Sequence, residues 1–201
     1  MKNLDKKLYD EGIDNWGRFV MANSLWKRFK DAFSSDDQPI QTNDVHSTAN
    51  KSRAQEEEKC DFTQILTSEN IFTEEDLHSQ SEVLKRLSQV SGENQEEIYG
   101  ALLVREKQAS TNLGEGMALP HVQLENISKL TMIILKLENP IDWGNDKVSL
   151  VFGLLIPKPD SDFEHVKYMA GLSKKLLKPS FVYALKEATT AEQIINLLTQ
   201  S

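Results

Sequence analysis

From residue 79 onward, apolar positions recur first at helical spacing, then in continuous runs, then at helical spacing again. SQSEVLKRLSQVSG (79–92) predicts an amphipathic helix, with Ser79 and Glu82 placed as a capping box and Gly92 as its stop. NQEEIYGALLVREKQA (94–109) predicts a second helix, capped by Asn94 with Glu97 three residues on. KLTMIILKL (129–137) and KVSLVFGLLI (147–156) are β-rich apolar runs bounded by Asn139, Pro140 and Gly144. Unbroken apolarity predicts strands covered on both faces. FEHVKYMAGLSKKLL (163–177) returns to the helical period, with Ser161 or Asp162 as expected cap and Pro179 marking its end. Two short helices follow, the last opened by Thr190 and Gln193. The expected fold class is α/β: a single layered domain over 61–201, with a central mixed sheet flanked by helices.

The first 60 residues carry a different pattern. Phe19, Ala22, Trp26, Phe29 and Phe33 are spaced 3, 4, 3, 4, which predicts one apolar stripe on a helix within 1–33. So aromatic a stripe calls for cover, and contact with a partner, another domain or a second copy is favoured over a membrane surface, because Asp5, Asp10, Glu11 and Asp14 dilute its positive charge. Residues 34–60 are polar and nearly free of large apolar groups, as a flexible linker would be. His46 reads as solvated, and Cys60 as a structural or incidental thiol, since neither a cation nor a Gly-rich loop adjoins it.

Composition narrows the functional classes. The chain has 201 residues, 39% hydrophobic and 27% charged, which suits an ordinary core. A net charge of −8 makes this a poor nucleic-acid binder. The lone cysteine excludes a disulfide framework or a Cys-based zinc site. Membrane insertion is not expected, because no apolar run approaches spanning length, and MKNLDKKLYDEG lacks a signal-peptide stretch; the cytoplasm is the expected compartment.

Chemistry concentrates in REKQASTNLGEGMALPHVQ (105–123). Pro120 stiffens the backbone that delivers His121, while Gly114 and Gly116 permit left-handed turns beside it. Ser110 and Thr111 can donate to an anion, and Arg105 can grip one bidentately. No Gly-Lys-Ser/Thr follows GEG, so this is not a nucleotide-binding P-loop. By itself the segment also fits a packed turn. His165 is the second candidate, in the first turn of its helix and on one stripe with Met169, Leu172 and Leu176; backbone N–H groups there suit a phosphate, although such a histidine also fits simple packing. His78 reads as a surface residue. Four histidines without short ligand spacing make a metal centre unexpected, and no G-x-S-x-G elbow or Ser-His-Asp grouping stands out.

Arg105, Glu106, Ser110, Thr111, Gly114, Gly116, Ala118, Pro120 and His121 together resemble the active-site segment of enzyme IIA, fructose/mannitol class, of the bacterial phosphoenolpyruvate-dependent sugar phosphotransferase system. The resemblance runs from about residue 62 to the C-terminus. It implies a phosphocarrier in which His121 accepts a phosphoryl group from the phosphocarrier protein HPr and passes it to a cysteine of a sugar-specific IIB unit. It further implies that His165 orients the phosphate, that Arg105, Ser110 and Thr111 balance its charge, and that no cofactor or metal is required. Glu115 falls where family members differ. Residues 1–60 lie outside the resemblance, and neither a IIB nor a IIC domain is visible. A regulatory IIA module, nitrogen-linked or detached from a sugar-operon regulator, is therefore the second reading. A purely structural adaptor fits less well with Arg105, His121 and His165 all in place.

Overall fold

The structure, a computed structural model, describes residues 60–92, 94–160 and 163–200. The helix expected within 1–33, the linker over 34–59 and the expected caps Ser161 and Asp162 lie outside the described residues.

Six strands form one mixed sheet. They are β1 (Ile71–Glu75), β2 (Asn112–Gly114), β3 (Met117–Ala118), β4 (His121–Leu124), β5 (Thr131–Trp143) and β6 (Asp146–Pro157). Their order is β1-β5-β6-β3-β2, with β4 also on β6. β5 and β6 are antiparallel, while β1 runs parallel to β5, and β3 and β4 run parallel to β6. β3 and β4 therefore share the one edge of β6 in tandem: Met117 and Ala118 face Leu150 and Val151, and His121 to Leu124 face Leu154 to Pro157.

Alternation along β5 and β6 explains the continuous apolar runs. Met132, Ile134, Leu150, Phe152, Leu154 and Ile156 enter one core, whereas Ile133, Leu135, Val151 and Leu155 enter the other. The first core is closed by α3 (Glu164–Leu176), α4 (Pro179–Glu187), α5 (Ala191–Thr199) and the 3-10 turn at Phe62–Gln64. The second is closed by α1 (Gln80–Val90) and α2 (Gln95–Gln108). Each large side chain buried this way contributes roughly 1.5–3 kcal/mol. Gly153 sits where α1 approaches most closely: a Cβ there would lie 2.5 Å from Leu87 Cδ2.

Several local expectations are met and others corrected. Thr190 and Gln193 make the full capping box of α5. Ser79 accepts from Glu82 N, but the Glu82 carboxylate accepts from His78 N, one residue before the cap. Asn94 precedes α2 in the left-handed region (φ 43°) without a side-chain cap, and Glu97 instead takes the Asn126 amide. Asn139 and Pro140 do not end β5. The strand passes through them at a register shift between Lys136 and Ile141, an irregularity that tolerates a proline, and turns only at Gly144. Cys60 packs against α3, where burial foremost raises its thiol pKa, in keeping with a structural thiol.

Candidate active site

His121 opens β4, directly after Leu119 and Pro120. The Pro120 carbonyl accepts from Leu154 N at 2.9 Å, tying the ring's backbone to β6. Register opposite Leu154 gives His121 the parity of the sheet face covered by α3. His121 is only 5% exposed, and both ring nitrogens have hydrogen-bond partners. Nδ1 lies 3.0 Å from the Leu119 carbonyl, and Nε2 lies 3.2 Å from Arg105 Nε. The carbonyl can only accept and the guanidinium only donate, so the proton belongs on Nδ1 and the lone pair on Nε2.

Arg105 reaches this ring from the last turn of α2, which lies against β4. Ile98, Leu102 and Arg105 are the buried residues of that helix, spaced 4 and 3, so the inward stripe ends in a guanidinium. Arg105 Nη1 also donates to the Ala109 carbonyl at 3.0 Å, folding the helix end back on itself.

Thr111 is fully buried, and its hydroxyl donates to Glu106 Oε2 at 2.5 Å. Glu106 also accepts from Thr111 N at 3.0 Å and from the buried Trp143 indole N–H at 2.9 Å. Ser110 remains exposed, with its Oγ accepting from Asn112 N at 3.3 Å. Asn112 in turn donates to the Trp143 carbonyl at 2.9 Å and accepts from Gly114 N at 2.6 Å, fastening the turn that returns the chain to β3. Gly114, Glu115 and Gly116 all have positive φ in that turn. Glycine accommodates this freely; Glu115 does so against its Cβ.

His165 lies in the first turn of α3, with its ring on Asp160 Oδ2. Asp160 also accepts from Glu164 N at 3.1 Å and His165 N at 3.3 Å, so it supplies the capping oxygens that Phe163, the residue at the cap position, cannot. Burial pushes the Asp160 pKa up, but the hydrogen bonds from the His165 ring and the two backbone N–H groups outweigh it and hold the carboxyl below its usual range. The arrangement thus brings Arg105 onto His121, places Thr111 with Glu106, and gives His165 a carboxylate partner. Among the described residues no group of His, Cys, Asp or Glu could hold a metal ion, and no helix is long and apolar enough to cross a membrane.

This sheet and its histidine segment coincide with a known family. The model for the phosphoenolpyruvate-dependent sugar phosphotransferase system, EIIA 2, matches residues 64–201. The chain belongs to this family. It is 30% identical over 139 residues to multiphosphoryl transfer protein 2 of Escherichia coli, covering 67% of this chain but only 17% of that protein. It is 28% identical over 144 residues to a nitrogen regulatory protein of Bradyrhizobium diazoefficiens, covering 68% of this chain and 94% of that one. Among solved structures it resembles the nitrogen regulatory protein IIA-Ntr of Neisseria meningitidis, with a TM-score of 0.63 at 25% identity over 68% of this chain and 97% of that one. The mannitol IIA of Escherichia coli shares the fold, with a TM-score of 0.56 at 24% identity over 66% and 98%. The α/β IIA architecture read from the sequence is the one observed, and this is a phosphotransfer component of the EIIA type.

Proposed function

We propose that the chain is a cytoplasmic phosphohistidine carrier in which His121 Nε2 accepts a phosphoryl group from phospho-HPr and hands it to a IIB cysteine for uptake of a fructose- or mannitol-type sugar. The observation that carries this reading is the pair of contacts on the ring: Leu119 holds Nδ1–H, and Arg105 stands at Nε2. In the transfer, the donor's P–N bond breaks and its ring keeps the electron pair, while a bond forms between phosphorus and Nε2. His121 retains its Nδ1 proton, so the ring becomes cationic and the Leu119 carbonyl stabilises it. Arg105 moves its N–H bond from Nε2 to a phosphoryl oxygen, matching the charge that a loose transition state spreads there. His165, on the same face of the sheet and held by Asp160, orients the phosphoryl group from the start of α3, and Ser110 offers an exposed hydroxyl at the rim. Thr111 supports the loop that carries Ser110.

The matching experiment uses labelled phosphoenolpyruvate with enzyme I and HPr. Wild type acquires acid-labile label and His121→Ala acquires none; equal labelling of both proteins would refute the assignment. The nitrogen regulatory protein of Bradyrhizobium diazoefficiens matches over 94% of its length, which favours a second reading in which phosphorylation of His121 controls partner binding. Labelling of His121 without transfer to any of a panel of IIB proteins would select it.

A further inference from the structure

Glu106 has four described hydrogen bonds, and none is to its neighbour Arg105. Oε1 accepts from Thr111 N at 3.0 Å and from Trp143 Nε1 at 2.9 Å, and Oε2 accepts from Thr111 N at 3.2 Å and Thr111 Oγ1 at 2.5 Å. Trp143 and Thr111 are both fully buried. The Glu106 carboxylate therefore ties the last turn of α2, and Thr111 just beyond it, to Trp143 at the far end of β5, 37 residues on from Glu106. Between Glu106 and Thr111 lies Ala109, whose carbonyl accepts from Arg105 Nη1, and the same guanidinium donates through Nε to His121 Nε2.

We propose that Glu106 is a positioning residue for phosphoryl transfer: anchored on Trp143, it fixes the Thr111 backbone, hence the Ala109 carbonyl, hence the aim of Arg105 at His121 Nε2. This rests on the phosphoryl-acceptor reading of His121. A carboxylate suits the task because all its partners donate, and it has acceptors only. Glutamine can do part of the work, since its carbonyl can still take the two N–H groups while the Thr111 hydroxyl turns to accept.

The experiment pairs single-turnover phosphorylation by phospho-HPr at saturating donor with ring 15N spectra of His121. Glu106→Ala lowers the transfer rate about tenfold, as misaimed catalytic groups do, with donor affinity little changed. It also shifts the His121 Nε2 resonance as the Arg105 bond is lost, and Glu106→Gln restores most of both. Leu198→Ala, which opens the core beneath α5, controls for lost stability and transfers at the wild-type rate wherever it is folded. If Glu106→Ala does not fold, Thr111→Val decides, with a slower rate and a displaced Nε2 resonance expected. Wild-type rate together with an unmoved resonance, in whichever variant is folded, overturns the proposal. Absence of label on wild-type His121 would instead sink the carrier reading, and the resonance alone would then decide whether Glu106 aims Arg105.

Discussion

His121 and His165 are the same side chain in opposite settings. His121 stands at the start of a strand, with Nδ1 on a neutral backbone carbonyl and Nε2 on a guanidinium. His165 stands in the first turn of a helix, with Nδ1 on a carboxylate that also accepts two backbone N–H groups. A carbonyl orients a ring without adding charge, whereas a carboxylate orients it and brings a counter-charge. The first setting suits an atom that must attack, the second an atom that must steer an anion. The partner of Nδ1, more than the histidine itself, separates the two roles.

The contrast can be broken at Arg105. Arg105→Ala should slow phosphorylation of His121 by about 10²-fold, the scale for losing one preorganised charge-stabilising donor. Arg105→Lys should recover little of it, because a point charge cannot bridge Ala109 and His121 as a fork does; single-turnover labelling measures both. His165→Gln sharpens the contrast from the other side: label is still acquired, but onward transfer should slow by roughly tenfold. Thermal unfolding should move little, and a loss of folded protein matching the loss of rate would make His165 a packing residue. Asp160→Ala has the smallest expected effect, about 1 kcal/mol of stability at neutral pH, the scale of a helix cap. Because the folded-state pKa of Asp160 is depressed, its contribution is present above the ordinary carboxylate range and lost as pH falls through the lowered value. Wild type and variant should therefore converge in acid, as denaturant titrations at several pH values will show.

The sequence makes the long elements legible and the short ones not. α1, α3 and α5 have the period, and Ser79 and the Thr190–Gln193 pair mark starts that the chain uses. β2 and β3 span three and two residues, below the length at which alternation registers, and they exist only because β3 finds a partner in distant β6 and β2 pairs in turn with β3. At the site, His121 and Arg105 announce themselves by chemistry, and Arg105 could also have been found as the polar member of an otherwise apolar inward stripe. Glu106 stands beside Arg105 in the motif, but its attachment to Trp143 gives no sign, because only folding brings that indole near. Asp160 gives little sign either, because it lies four residues before the helix begins, farther back than a cap ordinarily stands.

The tandem seating of β3 and β4 on one edge of β6 leaves a joint at Leu119 and Pro120, with the His121 ring mounted beside it. Neither short strand owns the alignment of that ring; the long central strand acts as a rail for both. Conservative changes along 150–155 should therefore move the His121 ring while leaving every side chain that bonds it unaltered.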